Sequence, residues 1–136
     1  MSQENVEIVR RATEAFSEGG TDAVVDTFWV PEIVWDMTPT GIFGFGVYTG
    51  YDEVRAFMAE WFSAFEFDGW SMEIEELCDR GDKVLSLVRQ VGHGTSSGAK
   101  VSVEFAQIFS LRAGKIVRID NYLDRAAALE AVGLSE

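Results

Sequence analysis

The stretch that most constrains this chain is its last third, residues 101–134, VSVEFAQIFSLRAGKIVRIDNYLDRAAALEAVGL. Between Val101 and Leu111 the odd positions are Val101, Val103, Phe105, Gln107, Phe109 and Leu111, all large and apolar except Gln107. The even positions, Ser102, Glu104, Ala106, Ile108 and Ser110, are mostly small or polar. A period of two predicts a strand with one buried face. A turn at Arg112-Ala113-Gly114 leads into a second strand, on which Val117, Ile119, Asn121 and Leu123 share a face. Two lone amides, Gln107 and Asn121, thus interrupt the apolar faces of neighbouring strands. That pattern predicts a mostly apolar pocket with a few convergent polar groups. The alternative is that the two amides bond each other or a trapped water. Asp124 caps a closing helix, with Leu129 and Val132 buried and Gly133 as its stop.

The front of the chain has helical spacing. Ser2 can cap a helix over about Gln3–Glu18, with Val6, Val9, Ala12 and Phe16 as its stripe. Thr21 is expected to cap a shorter helix carrying Val24, Val25 and Phe28, closed by Pro31. Ile33–Met37 reads as a short strand. Residues 37–50, MTPTGIFGFGVYTG, combine four glycines with Ile42, Phe43, Phe45 and Tyr48. A flexible loop bearing aromatics either folds over an apolar opening or plugs the core. Val54, Phe57, Met58, Trp61, Phe62 and Phe65 form the clearest helical stripe. Trp70, Met72 and Ile74 alternate with polar residues as a strand, and Lys83–His93 is another, turning at GHGTSSG, 92–98. Helices in front, an antiparallel meander behind and no βαβ alternation give an α+β class. Residues 1–136 make one domain.

Charge narrows the partners. With 11 Lys+Arg against 23 Asp+Glu, net −12, the chain lacks the basic footprint that nucleic acid or an anionic membrane needs. One cysteine, Cys78, excludes an internal disulfide and fits a reducing cytoplasm, and no apolar leader opens the sequence. No Cys or His cluster predicts a metal, and no cofactor motif is present: the glycines at 92, 94 and 98 lie in a hairpin, outside any phosphate-loop context. Ser96-Ser97 lacks a nucleophile elbow, and His93 sits in a turn where histidines are usually solvated.

The order helix, helix, short strand, loop, amphipathic helix, long meander resembles the SnoaL-like branch of the NTF2-like, ketosteroid isomerase-like superfamily. The residues that carry the likeness are NVEIVRRATEAF at the start, VYTGYDEVRAF in the middle, and FSLRAGKIVRI leading to YLDRAAALEAVGL. The resemblance implies an NTF2-like cone: a curved antiparallel sheet wrapped around N-terminal helices, with an internal apolar pocket. It also implies a homodimer through the sheet's outer face, where Ile108 is expected to point outward. The superfamily spans isomerases, cyclases, hydrolases and non-catalytic binding proteins, so fold alone does not choose an activity. The ketosteroid isomerase pattern places a general-base Asp where Asp36 stands. Its oxyanion-hole Tyr and protonated Asp fall, by position, on Ala12 and Gln107. The strong donors are therefore absent, and steroid isomerisation is not expected.

Candidate site residues follow. Asp36, if it points inward, loses hydration and becomes a usable base near neutral pH; if outward, it is an ordinary solvated carboxylate. Gln107 and Asn121 would hold a ligand oxygen. Arg89 shares a parity with Leu85, Leu87 and Val91, so it either enters the cavity or snorkels to solvent. Trp61 and Phe105 would wall the pocket, and Phe43 and Phe45 would cover it. The leading expectation is a cofactor-independent acid/base enzyme acting on a small apolar carbonyl or polyketide-like molecule. The competing ones are a non-catalytic binding module and a dimeric structural domain with a filled pocket.

Overall fold

The computed structural model is described for residues 2–65, 67–94 and 100–133. The side chains of Phe62, Phe65, Trp70, His93 and Val101, and the turn segment 95–99 with Ser96 and Ser97, lie outside the described residues.

Helix α1, Ser2–Gly19, buries the stripe read from its sequence: Val9, Ala12 and Phe16 are all in the core. A single 3-10 turn at Thr21–Ala23 follows, where a second helix was expected. Gly20, not Thr21, stands at its cap, without a side-chain hydrogen bond. The segment is too short to offset helix nucleation, and the chain instead turns through bonds from Phe28 N and Trp29 N to Val24 O. Val24 and Val25 still go inside. Pro31 does not close this segment; it lies within strand β1, Trp29–Asp36. The pairing of β1 slips in register between Trp29 and Val34, an irregularity that tolerates a residue with no N–H to give.

The loop 37–50 contains a 3-10 turn, Thr38–Thr40, and a short strand β2, Val47–Thr49, that pairs with β1. Helix α2, Gly50–Phe65, follows. The meander is β3, Phe67–Arg80; β4, Lys83–Gly94; β5, Lys100–Arg112; and β6, Lys115–Tyr122. Helix α3, Arg125–Ala131, closes the chain, and the Asp124 carboxylate accepts from Ala126 N and Ala127 N at its start. The six strands run in the order β2-β1-β6-β5-β4-β3. All neighbours are antiparallel except β1 and β6, which are parallel. Between β5 and β6 the turn uses Ala113 at φ 52 and Gly114 at φ 79, two left-handed residues whose twist matches that of a hairpin.

Register decides which side chains face the helices. Opposite pairs are Gln107 with Asn121, Phe109 with Ile119, Ser86 with Gln107, and Gln90 with Val103. The inner face is therefore odd-numbered on β5 and, at Ile119 and Asn121, on β6, and even-numbered on β4; below the register shift at Ser110/Leu111 it takes Ile116 opposite Leu111 in place of the expected Val117. It packs on α1 and α2 through Val84, Phe109, Ile119 and Trp35. The outer face has a smaller core, where α3 sets Ala128 and Val132 on Leu85, Ala106 and Ile108. Ile108 lies on the outer face as expected, but α3 covers it and leaves it 4% exposed.

Candidate functional site

Between α1, α2 and the inner face of the sheet lies a cavity with about 510 Å³ of empty space, part of it at an open mouth. A water-sized sphere can place its centre in only about 40 Å³ of it, room for roughly two or three waters. The space is thus narrow, and aromatic side chains make it so. Phe16 enters from α1; Phe57, Met58 and Trp61 from α2; Phe105 and Gln107 from β5. Thr40 and Ile42 of the loop and Leu123 after β6 line the rest with Trp35, Met37, Met72, Gln90, Val103 and Asn121. None of these residues is ionisable.

The polar groups on this wall differ in how well they are satisfied. Gln107 Nε2 donates to Asn121 Oδ1 at 3.0 Å, and Asn121 Nδ2 donates to the Asp36 carbonyl at 3.1 Å. The two amides lock each other, which is the alternative reading of their pattern. Gln90 was not anticipated. Its Oε1 accepts from Trp61 Nε1 at 3.3 Å, which aims the amide and leaves Nε2 without a partner. Gln90 is 3% exposed. Trp35, 6% exposed, has an equally unpartnered Nε1–H. A buried donor left unpaired costs about 1–3 kcal/mol. Two such donors on one apolar wall are ready for an acceptor.

Asp36 is buried and does not line this wall, so the expectation that it projects inward is corrected. On β1 its neighbours Trp35 and Met37 face the cavity, and the alternation sends Asp36 to the other side. There Oδ1 accepts from Thr38 N at 2.8 Å and Thr38 Oγ1 at 2.7 Å, and Oδ2 accepts from Arg118 Nη2 at 2.8 Å. Arg118 also pairs with Asp120 at 2.9 Å. Asp36 fastens the start of the loop to the sheet. Tyr122 stands beside this cluster; burial first, then the charges of Asp120 and Asp36, push its phenol pKa up.

Arg89 is corrected likewise. Even residues of β4 face inward, so Arg89 lies on the outer face, 2.9 Å from both Glu75 and Glu104. Arg125 of α3 pairs with the same two glutamates. The hydrogen bond from Arg89, followed by the charges of Arg125 and Arg89, holds the Glu104 carboxyl below the usual glutamate range. Phe43 is fully exposed and touches no cavity wall, whereas Phe45 packs edge-on against Phe57 at 5.2 Å and tilts against Trp61 at 5.8 Å. The covering is done by Thr40 and Ile42, and Phe45 ties their loop to α2.

The comparisons with known proteins agree with this architecture. The SnoaL-like domain model matches residues 9–119, most of the chain. The chain belongs to the SnoaL-like family. Solved structures share the fold of this SnoaL-like domain over nearly their whole length. The structure of TerC co-crystallized with polyporic acid superposes with a TM-score of 0.73 at 20% identity, covering 95% of this chain and 98% of that one. A putative SnoaL-like polyketide cyclase from Jannaschia sp. CCS1 gives 0.71 at 21% identity, covering 99% and 95%. A hypothetical protein with a ketosteroid isomerase-like fold from Catenulispora acidiphila, in complex with trimethylamine, gives 0.69 at 18% identity, covering 94% and 93%. At such identities the likeness is one of fold. No curated protein matches the sequence.

Ala12 and Gln107 both line a smaller space beside α1. Among the described residues no cluster of His, Cys, Asp and Glu could hold a metal. No helix of the described residues is long and apolar enough to cross a membrane. Cys78 is half-buried, and desolvation and the Glu76 carboxylate raise its thiol pKa, so it is a poor nucleophile.

Proposed function

We propose that this SnoaL-like domain is a binding module for a small, neutral, largely apolar molecule with a hydrogen-bond acceptor such as a carbonyl oxygen. The observation that carries this reading is the pair of unpartnered donors, Gln90 Nε2 and Trp35 Nε1, on residues lining a mostly aromatic and aliphatic cavity whose other amides, Gln107 and Asn121, bond each other. An acceptor there would recover hydrogen bonds that the empty protein forgoes. An anion would find no countercharge among the lining residues, and an apolar cation no carboxylate. Trp61, Phe105 and Phe16 would enclose the ligand's body, and Gln107 and Asn121 would shape the wall through their mutual bond. The part-buried, unreactive Cys78 fits work in the cytoplasm. The second copy implied by the resemblance is the other partner we propose.

A catalytic reading is favoured by the relatives described as polyketide cyclases. It requires a proton-transfer group at the ligand, and Asp36 would have to leave Arg118 and Thr38 to serve. One experiment separates the two. Tryptophan fluorescence is titrated with acetophenone and its biphenyl analogues, and α-proton exchange of the same ketones into D₂O is followed by NMR. Saturable quenching with exchange no faster than in buffer is expected. Exchange that is accelerated by roughly 10²-fold or more and lost in Asp36→Asn would overturn the binding reading in favour of the enzyme.

A further inference from the structure

The unpartnered donor of Gln90 is held in its orientation by a neighbour that can only donate. Gln90 stands on β4 between Met72 of β3 and Val103 of β5, and all three line the cavity. From α2, Trp61 gives its indole Nε1–H to Gln90 Oε1 at 3.3 Å. An indole nitrogen has a proton to give and no lone pair to offer. A primary amide has two unlike ends, and this contact fixes which end faces the helix. With Oε1 turned to α2, the two N–H groups of the buried Nε2 meet no partner. Turned over, the amide would set N–H against N–H and leave its oxygen unpaired. The other unpartnered group on the lining residues, Trp35 Nε1, is likewise a donor only.

We propose that Trp61 is a positioning residue that makes the cavity selective for acceptors, so that it takes a ketone and refuses the alcohol of the same skeleton. The oxygen of a ketone accepts from Gln90 Nε2 and brings no proton that needs a partner of its own. A secondary alcohol also accepts there, but its O–H must then be buried. Beside Gln90 that proton meets the Met72 thioether, a weak acceptor, and the side chain of Val103, which is none. The amide oxygens of Gln90 and Asn121 are taken by Trp61 and Gln107. A donor buried without a partner loses its water and gains nothing in return. The alcohol that differs from a good ligand by two hydrogens is thus a poor one. The inference rests on the binding reading above; it adds which oxidation state of the ligand the site holds and which residue decides it.

The test uses three ligands of one carbon skeleton on the full chain: ethylbenzene, with no polar group; 1-phenylethanol, which donates and accepts; and acetophenone, which only accepts. Dissociation constants are read by isothermal titration calorimetry for wild type, Trp61→Phe and Gln90→Leu, with far-UV circular dichroism confirming each fold. In wild type acetophenone should bind about tenfold tighter than 1-phenylethanol, the order of one buried donor left unpaired. Trp61→Phe keeps an aromatic ring and removes the proton that fixes the amide. Gln90 is then free to present either end, and the preference should fall to about twofold, chiefly because the alcohol binds better. A purely structural role would move all three ligands together. Gln90→Leu should lower the affinity of acetophenone relative to ethylbenzene about fivefold, the worth of one net hydrogen bond. Equal binding of ketone and alcohol by wild type overturns the proposal without any variant. So does a preference that survives Trp61→Phe, or an acetophenone-to-ethylbenzene ratio unchanged in Gln90→Leu. In each of these cases acetophenone still binds wild type and the binding reading stands. Failure of all three ligands to bind wild type sinks both.

Discussion

Asp36 shows how little a residue's type says about its role. A carboxylate between Trp35 and Met37 has the neighbours of a cavity base, yet its oxygens are engaged by Arg118, Thr38 N and Thr38 Oγ1 on the opposite face. Its work is to hold the first turn of the 37–50 loop. Asp36→Ala removes all these acceptors and should lower stability by about 2–3 kcal/mol, read from the urea midpoint. Asp36→Asn keeps Oδ1 for Thr38 but sets an amide N–H against Arg118 where Oδ2 accepted, so the charge and that hydrogen bond are both lost; with Arg118 part-exposed and free to turn to water, about 1 kcal/mol is expected. Ketone affinity in the Asn variant should stay within twofold of wild type. A tenfold change would put Asp36 at the ligand after all. Gln107 and Asn121 were legible as inward-facing from their apolar strand neighbours, and the structure adds that they bond each other at 3.0 Å. Gln90 was missed because β4 was read in the wrong phase: Leu85, Leu87 and Val91 look like a core face, and Leu85 does form one, but beneath α3. The usable signal was Gln90 itself, alternating with Val84 and Val88.

At the scale of elements, the loop between β1 and α2 is the part that can open. The cavity admits only a few waters as it stands, so a ketone must displace Thr40, Ile42 or the aromatics behind them. Gly41 at φ 74 and Gly44 at φ 92 give the loop conformations that other residues resist. Phe45 ties it to Phe57 and Trp61, and Tyr48 stacks on Phe57 at 4.6 Å. Phe45→Ser should therefore cost about 1–2 kcal/mol in stability and weaken 4-acetylbiphenyl several-fold. Phe43→Ser, at a fully exposed tip, should leave both within error. Unchanged affinity in the Phe45 variant would strip the loop of its covering role. Helix α3 is the second lesson at this scale. Its cap at Asp124 and one buried anchor, Val132, were readable in the sequence; the other is Ala128, with the expected Leu129 only partly buried, and the surface it covers was not readable.

The whole molecule carries a net charge of −12, and the outer face of its sheet is studded with charged groups, Glu75, Arg89, Glu104 and Arg125 among them. With Ile108 covered by α3, the homodimer rests on the resemblance alone. Two copies that meet through this face repel at long range, and salt screens that repulsion within about 10 Å at 0.1 M. Light scattering at micromolar concentration should give a dimer near twice 15.1 kDa in about 150 mM salt, with dissociation as salt is lowered to about 10 mM. A 15.1 kDa particle at both salt concentrations would remove the dimer.

Periodicity alone determined the long elements, though not the short helix expected after Thr21. The alternation of β5 and β6, the stripes of α1 and α2, and the cap of α3 are local patterns, and each element formed where its pattern lay. The α+β class and a cavity lined by Gln107, Asn121, Phe105 and Trp61 followed from them. Tertiary structure decided what local pattern cannot hold. Both faces of this sheet are partly buried, one beneath α1 and α2 and one beneath α3. An apolar alternation on β4 therefore does not say which helix it faces. One residue of phase, fixed only by pairing with β5, placed Gln90 in the cavity and Arg89 outside it. The same one-residue alternation on β1 put Trp35 at the ligand wall and Asp36 behind it, because successive side chains of a strand leave on opposite sides.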